Sequence, residues 1–212
     1  LMAARVIVVA NQKGGVGKTT TAINLAASLA LADSRVVAID IDPQANLTSG
    51  IGLKGQASSQ GTVYEALTAK TIPDFADFVL ETNVIGLSLV PADRNLTGAE
   101  LEMVSLENRE TRLRSLVRQL VGRYDYVFID TPPSLGLLTL NGLVAADTVL
   151  IPMLSEYFAL EGLAELVSTL QRVRASLNPS LSIDRKSTRL NSSHTPTSYA
   201  GFRLQNNSKT TT

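Results

Sequence analysis

Short runs of apolar, mostly β-branched residues recur along the chain at 5–10, 36–40, 87–91, 125–130 and 148–153. Each is the length of one strand and nearly uniform in apolarity, the pattern of strands covered on both faces. Between them lie stretches of helical period at 19–32, 61–69, 95–105, 109–122, 136–145 and 158–177. In 109–122, Leu113, Leu116, Val117, Leu120 and Val121 share one stripe, with Arg109, Arg112, Arg118 and Gln119 off it. In 158–177, Leu160, Leu163, Val167, Leu170 and Leu177 form another, and Asn178-Pro179 stops the helix. The stretch 19–32 is apolar almost all round, which predicts a helix buried between the sheet and its neighbours. This alternation predicts βαβ units: an α/β fold with a mainly parallel sheet and helices on both faces. Residues 44–62, with four Gly and few large apolar groups, read as a mobile loop.

After Ile183 the pattern stops. Residues 184–212 hold eleven Ser/Thr, three Asn and no apolar run longer than two. Such a segment cannot bury enough surface to offset its ordering entropy. Arg185 to Thr195 resembles translated sequencing-adapter read-through, so the expectation is a disordered or foreign tail. His194, the only histidine, lies there and receives no role.

Composition narrows the classes. Net charge is zero, yet the tail carries five Lys/Arg against one acid, leaving residues 1–183 mildly acidic. Bulk charge therefore gives no support for nucleic-acid binding, which would need a local patch. There is no Cys, so disulfides and thiolate metal sites are excluded, as is an iron–sulfur cluster on this chain's own thiolates. No run approaches the length of a membrane span, and no signal peptide is visible.

The chemistry begins directly after the first strand run, at Asn11-Gln12-Lys13-Gly14-Gly15-Val16-Gly17-Lys18-Thr19-Thr20. A glycine-rich turn between a strand and a helix lets backbone N–H groups converge on phosphate oxygens, and the helix N-terminus adds partial positive charge. Lys18 is placed to neutralise β/γ-phosphates and the Thr19 hydroxyl to sit on Mg²⁺. Gly14, Gly15, Val16, Gly17, Lys18, Thr19 and Thr20 are thus the candidate nucleotide contacts. The usual pattern has Gly six residues before its lysine, where this chain has Gln12, and a second lysine, Lys13, opens the loop. The loop by itself leaves Lys13 either a solvated lysine or a second phosphate contact.

Lys13 to Thr20 resembles the deviant Walker A loop of ParA/MinD-type ATPases. Two further segments carry the same resemblance: Val36-Val37-Ala38-Ile39-Asp40-Ile41-Asp42-Pro43-Gln44-Ala45-Asn46 and Tyr126-Val127-Phe128-Ile129-Asp130-Thr131-Pro132-Pro133. The Asp-Pro-Gln-Ala-Asn form is closer to the ParA/Soj partition branch than to the MinD branch. The likeness runs from about Arg5 to Ile183, where family members continue with more sheet. It implies a P-loop ATPase domain over 1–183, incomplete at its C-terminal end.

The resemblance implies an ATP- and Mg²⁺-dependent hydrolase with Lys13, Lys18 and Asp42 as catalytic residues. Asp42 would orient the attacking water, and Thr19, Asp40 and Asp130 would form the metal site. Lys13 would reach the phosphates of a partner subunit, so that two copies sandwich two ATP molecules. It further implies a cytoplasmic, nucleoid-associated partition ATPase whose ATP-bound homodimer binds nonspecific DNA and is released by a ParB-like activator. Arg109, Arg112, Arg114, Arg118 and Arg123, or Arg172 and Arg174, could form the basic face, although ordinary solvated helix surfaces, with Glu110 and Arg114 as an i, i+4 pair, are the simpler explanation. Two alternatives compete. A MinD-like membrane-positioning ATPase would need a terminal amphipathic helix, and an inactive nucleotide-binding scaffold conflicts with intact Lys18, Thr19, Asp42 and Asp130.

Overall fold

The apolar runs pair edge to edge in a single seven-stranded sheet, described in a computed structural model over residues 4–153 and 159–183. In chain order the strands are β1 (Arg5–Val9), β2 (Val36–Asp40), β3 (Leu80–Glu81), β4 (Leu87–Val90), β5 (Tyr126–Asp130), β6 (Thr148–Leu150) and β7 (Ser182–Ile183). They lie side by side as β3-β4-β2-β5-β1-β6-β7, all parallel except the short edge strand β3. The helices are α1 (Lys18–Leu31), α2 (Asn46–Gly50), α3 (Val63–Thr68), α4 (Leu96–Met103), α5 (Arg112–Val117), α6 (Leu137–Ala145) and α7 (Ala159–Ser176). The expected tail over 184–212 and the first residue of the 158–177 stretch lie outside the described residues.

Period-two alternation splits the core between the two faces of the sheet. Ile7 and Val9 of β1 join Ala38 and Phe128 under α1. Val6 and Val8 face the other way, with Val37, Ile39, Val127 and Ile129, into the larger core roofed by α3 to α7. The register carries the functional consequence. Val9 pairs with Asp130 and Asp130 with Asp40, so two strand-end carboxylates lie together where β1 runs into the glycine loop. Among the described residues, no helix is long and apolar enough to cross a membrane.

Several expectations need correction. The stretch 19–32 is not buried all round: only Lys18, Ala22, Ala26 and Ala30 form a closed stripe, and Leu31 is 77% exposed. Four-residue spacing of small alanines suffices to lay this helix closely on the sheet. The stretch 109–122 is broken: a 3₁₀ turn over Arg109–Thr111 leads into α5, which gives way to tight turns ending at Gly122, where φ is +98°.

Arg112 is the residue that helical periodicity misplaced. It is buried, and its guanidinium donates to the carbonyls of Leu67 and Ala69, which end α3. Arg114 donates to Leu177 O, and Arg109 pairs with Glu110, so the i, i+4 pairing of Glu110 with Arg114 is not the ion pair that forms. The arginines of 109–114 are therefore engaged internally rather than arrayed as one basic face. Asn178 does more than stop α7. Its amide donates to the carbonyls of Leu143, Val144 and Ala146, capping the end of α6.

The segment 44–62 is not a featureless loop. It contains α2, and Leu47 and Thr48 are both fully buried. Its α2 end is packed, with contacts that low apolar content concealed, while most of 54–60 is exposed.

Candidate nucleotide site

The glycine loop is fixed at its entrance by side chains. Asn11 donates to Pro152 O at 2.7 Å and accepts the Lys13 N–H at 3.0 Å. Gln12, in the place where the usual pattern has Gly, donates to Glu165 of α7 at 2.7 Å. Gly15 and Gly17 take left-handed conformations at φ +73° and +84°, which L side chains adopt only at a cost of about 1–2 kcal/mol. Gly17 then leads straight into α1.

The N-terminus of α1 has neither a side-chain cap nor an acidic residue in its first turn. Its leading N–H groups and the positive end of its dipole are left for an anion. Lys18, the first helical residue, folds back and donates through Nζ to Lys13 O at 3.1 Å. Burial pushes its ammonium below the ordinary lysine range, against the opposing pull of Asp130 and Asp42. A buried cation facing two carboxylates and an open amide cradle is arranged to receive further negative charge.

Across from the helix start, the Thr19 hydroxyl donates to Asp130 Oδ2 at 2.7 Å. Asp130 is fully buried, and its Oδ1 has no hydrogen-bond partner among the described residues. Burial raises its carboxyl to about 7, with Asp40 and Asp42 adding to the rise and Thr19 and Lys18 opposing it. A buried, unsatisfied carboxylate oxygen beside a hydroxyl is a costly arrangement that a hard cation would relieve. No cluster of three or more acidic or histidine groups gathers among the described residues, so most positions around such an ion would fall to phosphate and water. Thr131, next along, donates to Val9 O at 2.9 Å and locks the exit of β5 to that of β1.

Asp40 and Asp42 divide in their surroundings. Asp40 is fully buried with both oxygens already engaged: Oδ1 accepts Asp42 N–H, and Oδ2 accepts the N–H and hydroxyl of Thr48. Burial nonetheless raises it to about 6. Asp42 is also buried, at 5% exposure, and its Oδ1 accepts Gln44 N–H at 2.9 Å in the turn after β2. Thr48 and Asn11 were not legible as site residues. Thr48 stands eight positions from Asp40, a spacing that signals nothing until α2 folds back.

An AAA domain family model matches residues 4–183. The chain is 54% identical over 180 residues to the chromosome partitioning protein ParA of Myxococcus xanthus, a match covering 85% of this chain and 62% of that protein. It is 47% identical over 180 residues to the sporulation initiation inhibitor protein Soj of Bacillus subtilis, covering 85% and 70%. This chain belongs to the ParA/MinD-type ATPase family, with its curated likeness on the ParA/Soj branch. The chain spans less than two thirds of the length of the Myxococcus relative. A crystal structure of cobyrinic acid a,c-diamide synthase from Mycobacterium smegmatis with bound ADP and magnesium superposes with a TM-score of 0.79. It is 38% identical, and the match covers 85% of this chain and 72% of that one.

Proposed function

We propose that this chain is the nucleotide-hydrolysing part of a ParA/Soj-type partition ATPase, binding ATP with Mg²⁺ and hydrolysing it to ADP and phosphate. The observation that carries the reading is the assembly at the glycine loop: an uncapped helix N-terminus, buried Lys18, and the Thr19–Asp130 pair with one carboxylate oxygen unsatisfied. Identity to the Myxococcus xanthus ParA, 54%, exceeds the 38% to the synthase, each over 85% of this chain.

The residues fit a magnesium ion held by Thr19, with Asp130 behind it; when bound, the ion supplies charge neutralisation at the phosphates. The amides of Gly14 to Thr20 and the Lys18 ammonium would hold the phosphate chain. Displacement of Lys18 Nζ from Lys13 O to a phosphate exchanges a neutral acceptor for a charged one, a stronger bond. Asp42 would orient the attacking water. A loose transition state asks little of a general base, so a carboxylate at the site's edge is sufficient. Asp40 differs from the expectation of a metal residue in this reading. Its oxygens are taken by Asp42 and Thr48, so it supports the site from behind.

The finer reading follows from the resemblance. Lys13 would contact nucleotide across a homodimer, making the dimer dependent on the γ-phosphate. The dimer would bind nonspecific DNA and be released by a ParB-like activator. The domain would occupy 1–183, with 184–212 outside it. The test is phosphate release by the 212-residue chain with ATP and Mg²⁺, with and without EDTA, alongside light scattering. Magnesium-dependent release and ATP-dependent doubling of mass are expected; no release above a Lys18→Ala control would refute hydrolysis.

A further inference from the structure

The segment that follows β2 is tied down by a relay through one hydroxyl. Thr48 donates from Oγ1 to Asp40 Oδ2 at 2.7 Å, and the same oxygen accepts Ala92 N–H at 3.0 Å. Its own N–H also goes to Asp40 Oδ2, at 2.8 Å. Ala92 lies just beyond the end of β4, so a single side chain joins the carboxyl ends of two neighbouring strands through α2. The other side of α2 rests on α1, since a Cβ on Gly50 would meet Ile23 Cδ1 at 2.5 Å.

Asp42 is enclosed by this bracket. Its N–H donates to Asp40 Oδ1 at 3.1 Å, its carbonyl accepts Ala45 N–H, and its Oδ1 accepts Gln44 N–H. Ala45 is held at φ +50°, an uncommon conformation for a residue with a Cβ, so the turn is over-determined by these bonds. Among the described residues, every hydrogen bond made by Asp42 itself runs within residues 40–48. None runs from Thr48 to the glycine loop among the described residues.

We propose that Thr48, acting through Asp40, is a positioning residue that aims Asp42 at the nucleotide. The proposal rests on the reading of Asp42 as the residue that orients the attacking water. The chemistry demands a hydroxyl, because only a group that donates and accepts satisfies Asp40 and Ala92 N–H together. Valine has the same shape and can do neither, leaving the buried Ala92 N–H unmatched and Asp40 Oδ2 with only the backbone N–H of residue 48. Serine can do both. Orientation of a reacting water tolerates little displacement, whereas phosphate binding draws on Lys18, Thr19 and the loop amides, which Thr48 does not support.

The experiment compares T48V and T48S in the full chain. It measures affinity for a non-hydrolysable ATP analogue with Mg²⁺, steady-state kcat, and hydrogen exchange of the amides in 42–49. T48V is expected to keep affinity within about threefold while kcat falls about 10- to 100-fold. Exchange in 42–49 should quicken, and T48S should restore both readouts. Wild-type kcat in T48V, equal loss of affinity and kcat, or no rescue by serine would overturn the proposal. Should T48V not fold, T48A, which sets no methyl against the Asp40 carboxylate, is read by the same criteria. If the wild-type chain itself releases no phosphate, it is the ATPase reading that fails. Exchange then decides the positioning claim alone, and unchanged protection of 42–49 in the variant overturns it.

Discussion

The Thr19 hydroxyl and the Asp130 carboxylate meet at 2.7 Å, and the other Asp130 oxygen is buried without a partner among the described residues. These residues are far apart in the chain and are joined by strand register: β1 pairs with β5, and the loop after β1 returns α1 over the end of β5. The cost of the bare oxygen is visible in its proton affinity, raised to about 7 by burial. A site that is poor for a lone carboxylate is good for a carboxylate beside a cation.

A pH dependence follows. Asp130 moves from 3.8 to about 7 and Asp40 from 3.8 to about 6, both upward on folding. Between those values the folded chain binds more protons than the unfolded chain. The stability contribution of these groups therefore falls as pH rises from about 4 to about 7, and the cost is fully present above. Asp130→Asn cannot ionise. In EDTA, the decline in Tm between about pH 5 and pH 8 should be shallower in the variant than in the wild type. Its stabilisation by Mg²⁺ and nucleotide should be largely lost. Parallel melting curves for the two proteins across this range would show that Asp130 carries no such penalty.

The two lysines of the loop should separate in their effects. Lys18 is the buried counter-charge at the helix start, so Lys18→Ala should weaken ATP binding about 100-fold or more, the scale of losing a desolvated charge contact. Lys13→Ala should still bind ATP measurably but form no ATP-dependent dimer. Nucleotide titration with light scattering distinguishes the two, and normal dimers from Lys13→Ala would remove the cross-subunit role.

Much of this arrangement is legible in the chain because its signals are local. The apolar runs at 36–40 and 125–130 mark the strands that end in Asp40 and Asp130, and the glycine loop is contiguous. What the chain conceals are contacts made at a distance by ordinary-looking residues. The 44–62 segment reads as mobile because Leu47 and Thr48 are its few anchors, and their partners lie on β2, α1 and beyond β4. Arg112 lies off the apolar stripe of its helix, yet α3 covers it, since periodicity records one face of a helix and not a second neighbour. The antiparallel strand β3 is two residues long, too short to carry a pattern.

Asp42→Ala should keep ATP and Mg²⁺ and lose turnover, with kcat down on the order of 100-fold or more. On the proposed reading, water orientation matters only on the way to the transition state, while binding would use Lys18, Thr19 and the loop amides. The expected product is a persistent ATP-bound dimer, seen by light scattering under conditions in which the wild type, on the proposed reading, returns to monomer. Equal losses of affinity and turnover would instead place Asp42 among the metal-site residues.

Arg112 offers a test of what its charge is for. Its guanidinium is buried, donates to the carbonyls of Leu67 and Ala69, and is pushed by desolvation below the usual arginine range. Those two carbonyls end α3, where helix termini leave acceptors unmatched, so the arginine acts as a cap contributed from another helix. Removing it leaves both acceptors without their donor and opens a gap the length of a long side chain. Arg112→Ala should therefore destabilise the chain by about 2–4 kcal/mol, measured by denaturant unfolding. Arg118→Ala, on an exposed side chain of the turn after α5, should stay within about 0.5 kcal/mol of wild type. Under conditions where both variants remain folded, the proposed DNA affinity should be unchanged by Arg112→Ala, because a guanidinium committed to α3 is not presented to phosphate. A selective loss of DNA binding with unchanged stability would return Arg112 to a basic surface and contradict its place beneath α3.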